Sequence, residues 1–328
     1  MIFQTAPNIA LQTNAPGLGF VMLLISLLGS AEFYLAIIPV ILWGYDKTLG
    51  LRLLLLCSII VAINAALKLI FHAPRPYWIS AEVKAFASET SFGMPSAAAQ
   101  VSLAFLGYIG AWFRKTPVWI ICCALIIFVG IARMYLGVHF LGDILTGWIF
   151  ALGILLVFLR YENPATTWFL QKPVPVRILL ALGASCAFIL LSQVIIFSYG
   201  TWQVPAEWSA LAFAQTQEII TPTSLKDTLL AAGVLFGAAA GAGISAEYIP
   251  YGVDGTWSQK AARYVAGIIV LGVLWVALSA ATKSPGLFGY GMTYFRAALA
   301  GVWVTAGAPL LFLKLGLMTS EGKTHSLH

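Results

Sequence analysis

The chain has 328 residues, of which 60% are hydrophobic and only 9% charged. A soluble globular chain is nearer a quarter charged, so this one has too little polar surface for a water-soluble globule and lipid is its natural solvent. The net charge of +6 suggests basic loops. It does not suggest a nucleic-acid binder, which would cluster its basic residues on one polar face.

A membrane-spanning helix needs about 20 mostly apolar residues. Nine segments qualify: 18–43, 50–71, 95–113, 117–136, 140–160, 177–197, 228–246, 263–282 and 295–317. The first is long and holds Gly29 and Glu32, so a break or tilt is expected there. The fold class is therefore all-α, a polytopic transmembrane bundle of about nine spans. The Lys/Arg bias sets its direction. With the N-terminus outside, inner segments hold eleven basic residues and outer segments seven, three of which belong to the motifs below. That gives N-out, C-in. Residues 1–160 form a core of five spans with every dense polar motif, and 161–328 add four spans. The connection 198–227, with Trp202 and Trp208, is a candidate interfacial segment. The first 17 residues lack the basic n-region of a cleavable signal peptide. The tail from Thr319 to His328 is polar and expected to fray. Cys57, Cys122, Cys123 and Cys186 lie in apolar runs without metal-ligand spacing. Gly233, Gly237 and Gly241 recur every four residues, as close helix packing requires.

Three polar clusters interrupt this background. Lys68 and Arg75-Pro76 close the second span, Gly93-Met94-Pro95-Ser96-Ala97-Ala98-Ala99-Gln100 opens the third, and Arg133, His139 and Asp143 join the fourth to the fifth. The alternating topology brings all three to one membrane surface. Taken singly, an Arg or His there is most often a snorkelling residue. The spacing argues otherwise. With 8 Arg, 4 His and 4 Asp in the chain, Arg-x5-His-x3-Asp arises by chance about 0.001 times.

These residue types suit phosphoryl transfer through histidine. Lys68, Arg75 and Arg133 can surround phosphate oxygens, Arg as a planar fork and Lys as a point charge. Ser96, Ala97 and neighbouring backbone N–H groups at a helix start add donors. His139 can attack phosphorus, and Asp143, one turn on, can fix its tautomer. Positioned cations supply the electrostatic stabilisation, so no metal and no cofactor is expected. Four residues are weaker pocket candidates. Glu32 is an acid inside an apolar run, either lining the cavity, pairing a site cation or bonding another helix. His72, between Lys68 and Arg75, is a rim residue or a substitute acid. Tyr77 and Trp78 are interface anchors or walls of a headgroup pocket.

The chain resembles the type-2 phosphatidic acid phosphatase superfamily over about residues 50–160. That family's pattern is Lys-x6-Arg-Pro, Pro-Ser-Gly-His and Ser-Arg-x5-His-x3-Asp. The first and third are matched by Lys68 to Pro76 and Arg133 to Asp143, with Ala132 in place of Ser. Arg75-Pro76-Tyr77-Trp78 and the span count are also similar to the glucose-6-phosphatase and sphingosine-phosphate phosphatase branch, and Gly29 to Tyr45 looks like nine-span bacterial membrane phosphatases. The resemblance implies that His139 is the nucleophile, Asp143 its partner, and Lys68, Arg75, Ser96, Ala97 and Arg133 the phosphate ligands. It implies a bacterial inner-membrane protein with its site at the periplasmic surface. The substrate would be a phosphorylated lipid, isoprenoid or sugar, reached among membrane lipids. In the second motif Pro95-Ser96-Ala97-Ala98 replaces Pro-Ser-Gly-His. The family's general acid is thus missing at Ala98, and turnover should be low. The alanine reads as an engineered His-to-Ala change or as a natural pseudoenzyme. A lipid phosphotransferase and a non-catalytic phospholipid binder or transporter are the alternatives. No oligomeric state follows from the sequence.

Overall fold

Proline, glycine and short polar turns divide the apolar sequence into helices. The computed structural model describes residues 4–320, and it is helical almost throughout. The helices are α1 (Ala6–Asn14), α2 (Gly19–Leu27), α3 (Ala31–Gly44), α4 (Lys47–Phe71), the single turn α5 (Pro76–Ile79), α6 (Ala97–Phe113), α7 (Thr116–Tyr135), α8 (Leu141–Leu170), α9 (Val174–Ser198), α10 (Ala206–Thr216), α11 (Lys226–Tyr248), α12 (Trp257–Ala277), α13 (Gly286–Val302) and α14 (Ala308–Lys314). A π-turn, Trp303–Gly307, joins α13 to α14. Ser96 caps α6 by accepting from the Ala99 N–H at 3.4 Å. Thr256 and Gln259 form a reciprocal capping box on α12.

Among the described residues, seven helical segments are long and apolar enough to cross a membrane: Lys47–Ile79, α7, α8, α9, α11, α12 and Gly286–Lys314. Helices α3 and α6 are apolar but shorter. The nine expected segments therefore all hold helix, while length and composition together qualify seven. The first expected span is two helices. Residues 28–30 break it, and Gly29 is held there because a Cβ on it would lie 2.6 Å from the Ala98 Cβ.

The chain divides into two compact units. The first comprises residues up to 34, 60–159 and 190–225, so it draws on segments from both sides of residue 160. Its organisation turns on buried polar side chains that bind backbone. Asn8 donates to the carbonyls of Met134 (2.8 Å) and His139 (2.9 Å), and Gln12 to those of Tyr135 (2.7 Å) and Lys84 (2.9 Å). Thus α1 holds the chain that leaves α7. Asn64 donates to Gln100 (2.7 Å) and to the Pro95 carbonyl (3.1 Å), tying α4 to the start of α6.

The second unit comprises 35–59, 160–189 and the residues from 226 on. Its glycine seam behaves as the four-residue spacing requires. A Cβ on Gly237 would stand 2.0 Å from the Ala298 carbonyl oxygen, and one on Gly233 2.6 Å from that of Tyr294, so α11 and α13 approach backbone to backbone. Two buried arginines act as carbonyl clamps. Arg177 donates to Lys172, Gly243 and Leu170, and Arg263 to Trp43, Val253, Asp254 and Leu317. The expected fraying from Thr319 is corrected for two residues: Thr319–Ser320 pairs antiparallel with Tyr251–Gly252, which satisfies backbone groups at this end of the unit. Residues 321–328 lie outside the described residues.

Candidate active site

The first unit brings the three polar clusters together. His139 sits in the short segment between α7 and α8, 1% exposed. The approach to it depends on Gly137, whose φ is +76° and whose absent Cβ would fall 2.4 Å from the Lys84 carbonyl oxygen. Only glycine meets both conditions at that position. Asn8 then fixes the His139 carbonyl.

Asp143, in the first turn of α8, is fully buried. Its Oδ2 accepts the Phe140 backbone N–H at 2.9 Å and lies 3.3 Å from His139 Nδ1. A carboxylate can only accept, so Nδ1 carries the ring proton. The opposite nitrogen, Nε2, faces Arg75 Nη1 at 3.3 Å and presents its lone pair there. The sequence-predicted pair is thus in contact, with Nε2 on the side of Arg75. Burial, followed by the fields of Arg75, Arg133 and Lys68, pushes the His139 imidazole well below its ordinary pKa. The ring is neutral at pH 7.

Arg75 has no exposure, yet all of its nitrogens are engaged. Nε donates to the Ser91 carbonyl (2.7 Å), Nη1 to the Val138 carbonyl (2.9 Å), and Nη2 to the Phe92 carbonyl (3.0 Å) and Ser91 Oγ (3.3 Å). Lys68, at the last turn of α4, reaches the same Ser91 Oγ at 2.7 Å. Arg133 donates to Ser26 Oγ at 3.1 Å and forms a close ion pair with Glu89. The Glu89 carboxylate also lies 3.7 Å from Arg75 Nη2. Partial burial alone would raise the Glu89 carboxyl, but Arg133, Arg75 and Lys68 outweigh this and hold it at about 2. Three cations therefore converge on one anion, which the protein supplies itself.

The second motif contributes differently. The Ser96 hydroxyl caps α6, and the Ser96 N–H donates to the Asp143 carbonyl at 3.0 Å, which locks the start of α6 to α8. Ala97 is the first residue of α6 and is half-buried. Ala98, where an imidazole is expected, carries only a methyl group, and Gly29 is seated against it.

The four pocket candidates separate. Glu32 is exposed in the first turn of α3. Tyr77 and Trp78 have no exposure, so the expectation of interface anchors is corrected: they are interior groups. The Tyr77 hydroxyl donates to the Glu89 carbonyl (2.8 Å) and accepts the Glu89 N–H (3.1 Å). The Trp78 ring lies 5.9 Å from the Arg75 guanidinium. The His72 ring packs among Trp202 (5.2 Å), Tyr199 (5.5 Å) and Phe92 (6.3 Å). It lines a cavity of about 380 Å³ with Ile70, Ile195, Ser198, Tyr199 and Trp202.

Sequence reasoning missed Glu89 and Ser91. Their signal was a run of polar residues, Ser88-Glu89-Thr90-Ser91, just before the second motif in an otherwise apolar chain. It also missed the cover. Trp208 packs on Trp78, Gln215 binds the Tyr77 carbonyl, and the Thr221 N–H donates to the Thr90 carbonyl. The segment read as interfacial thus holds the Glu89 loop.

Three cations, a neutral histidine and its carboxylate partner are thus gathered on the apolar helices of a membrane protein, a residue set suited to an anion. Comparison with known proteins agrees. Residues 49–167 match the PAP2 superfamily, and residues 229–320 match its transmembrane extension, described as PAP2 superfamily phosphatase. The chain is 34% identical over 164 residues to phosphatidylglycerophosphatase B of Bacillus subtilis, covering 46% of this chain and 77% of that protein. A crystal structure of a transmembrane PAP2-type phosphatidylglycerolphosphate phosphatase from Bacillus subtilis aligns with 27% identity and a TM-score of 0.38, over 49% of this chain and 86% of that one. The chain belongs to the PAP2 superfamily and is an integral membrane protein of that phosphatase family.

Proposed function

We propose that this protein hydrolyses the phosphomonoester of a membrane lipid through a phosphohistidine on His139. The observation that carries the proposal is the arrangement around that ring: Nδ1 on Asp143 and Nε2 aimed at the guanidinium of Arg75. Phosphate oxygens would be shared by Lys68, Arg75 and Arg133. Nε2 would attack phosphorus, the ester oxygen would leave, and water would release phosphate from the ring. The cations stabilise the charge that develops on the transferring group, which is usually the largest catalytic contribution. The named activity of the Bacillus relative supports a phosphorylated glycerolipid as substrate. The cavity beside His72 is of a size and lining to receive an apolar substituent.

Ala98 removes the imidazole that would protonate the leaving group, and positioned proton transfer contributes about 10²–10⁴-fold. Slow turnover follows where no other group donates that proton. A nine-span, N-out topology would put the site at the periplasmic surface of an inner membrane, and a C-terminal reporter should then be cytoplasmic.

The test is phosphate release by the purified chain in micelles of phosphatidylglycerol phosphate or phosphatidic acid, with His139→Ala as control. Slow release that vanishes in the control is expected, with free phosphate as product. Binding without release from any lipid phosphate would overturn the hydrolase reading. Transfer of phosphate to a lipid acceptor would replace it with a phosphotransferase.

A further inference from the structure

We infer that Glu89 is the proton donor to the leaving group, in place of the histidine missing at position 98; this rests on the phosphatase reading above. Four observations lead to it. Position 98 has no titratable group, and the space before it is taken by Gly29. Among the described residues, Glu89 is the carboxylate ion-paired to both Arg75 and Arg133. Its side chain therefore occupies the place that phosphate oxygens must take. Its backbone is pinned on both sides by the buried Tyr77 hydroxyl, at 2.8 and 3.1 Å. Displaced from the arginines, the carboxyl can swing about its own torsions but stays at the cradle. Finally, its side chain is 32% exposed, on the open side of the cradle, whereas the nucleophile is buried.

The charged and titratable groups around Glu89 are Lys68 from α4, Arg75 and Tyr77 around α5, Arg133 from α7, and His139 with Asp143 beyond Arg75. Glu218 accepts from neighbouring Ser88 at 2.5 Å. In the free site the cations keep Glu89 ionised. A phosphomonoester whose second ionisation lies near pH 6 arrives partly as the monoanion. As its oxygens take over the arginines, its proton passes to Glu89, which has lost its cationic partners and gained an anionic neighbour. Nε2 of His139 then forms the bond to phosphorus, the bond to the ester oxygen breaks, and that oxygen takes the proton from Glu89. In the second half the regenerated carboxylate accepts a proton from the attacking water and hands it to the departing phosphate, which leaves as the monoanion, so that both the ring and the Glu89 carboxylate are restored. Atoms and charge balance without a further reactant.

The experiment compares two leaving groups in Glu89→Gln. The alkoxide of phosphatidic acid needs a proton as it departs, whereas the phenolate of 4-nitrophenyl phosphate does not. The expected result is a loss of about 10²-fold or more in the single-turnover rate of leaving-group release from phosphatidic acid, with less than about a fivefold change for the aryl ester, a measurement that excludes the second half shared by both substrates. Retained aryl turnover also shows that the variant is folded. Parallel losses on both substrates would make Glu89 a positioning residue and overturn the inference. Unchanged or increased turnover on both would make it a mere competitor for the cradle and also overturn it. A parent protein that releases phosphate from neither substrate overturns the phosphatase reading itself, and the inference with it.

Discussion

Replacing Asp143 by Asn separates what its charge does from what its shape does. Oδ2 takes both described contacts of the carboxylate, from the Phe140 N–H at 2.9 Å and His139 Nδ1 at 3.3 Å. Oδ1 is buried with no hydrogen-bond partner. An asparagine therefore fits with its carbonyl in the Oδ2 position and its amide in the Oδ1 position, so the Nδ1–H tautomer survives. Only the negative charge is lost. That charge matters as the ring takes on positive charge in forming phosphohistidine. Unit charges about 4 Å apart interact by about 4 kcal/mol at an effective dielectric near 20, equivalent to about 10³-fold in rate. Asp143→Ala additionally frees the tautomer; in a comparable triad the wrong tautomer, there imposed by an Asp-to-Asn change, costs about 10⁴-fold. Steady-state phosphate release should rank parent, Asn and Ala in that order, with melting temperatures showing whether each variant is folded. An Asn variant within tenfold of the parent would refute the charge argument. An Asn variant as poor as Ala would refute the proposed placement of its amide.

The pH dependence of stability follows from His139. Its pKa in the folded protein is well below the ordinary 6.5, so the unfolded chain binds more protons in that window. The contribution of His139 should be complete above about pH 6.5 and be lost as pH drops toward the folded value; His139→Gln should remove this component of the slope in thermal melts between pH 6.5 and 5. Ser91→Ala removes the acceptor shared by Lys68 and Arg75. At about 1 kcal/mol per hydrogen bond, KM should rise about five- to thirtyfold in steady-state assays, with kcat changing less. Gly237→Ala forces a Cβ to within 2.0 Å of the Ala298 carbonyl oxygen and should destabilise by at least the roughly 1–3 kcal/mol of an overpacked core. Gly272→Ala, in α12 with nothing within 4 Å, should be neutral or stabilising, and thermal melting in detergent compares the two.

The legible part of the fold was whatever apolarity and spacing determine. Each long apolar run became helix because lipid leaves the backbone no partner but itself. The glycine seam followed because a four-residue period puts three glycines on one face of α11. Segment membership was less legible. Residues 190–225 lie far along the sequence but belong to the unit that holds the site. Their attachment depends on ring contacts such as Trp202 with Phe92 and on backbone bonds such as Thr221 to Thr90. Neither leaves a period in the sequence. Asn8 and Gln12 were equally silent, since their role is to bind carbonyls more than 120 residues away. The basic-residue count treated Arg177 and Arg263 as loop charges, whereas both are buried clamps. A count cannot distinguish a charge facing headgroups from one spent on carbonyls.

The cradle shows why motif spacing recovered the cations and missed the anion. Lys68, Arg75 and Arg133 are legible because they stand at fixed offsets from Pro76, His139 and Asp143 on regular elements. Glu89 lies in the non-helical stretch between α5 and α6, where offset carries no geometric meaning. Its place is set instead by the Tyr77 hydroxyl on both its backbone groups. Yet charge balance demands such a residue. Three cations around a buried neutral histidine, in a unit embedded in lipid, would repel one another with little solvent to screen them. The Asp143 carboxylate faces away, toward Nδ1 and the Phe140 N–H. A second carboxylate must therefore hold the cradle together until a phosphate arrives, and it must be able to yield its place when one does. A side chain pinned by its backbone and partly open to solvent meets both requirements. Under the proposed mechanism, the same displacement that admits the substrate turns this counter-ion into an acid.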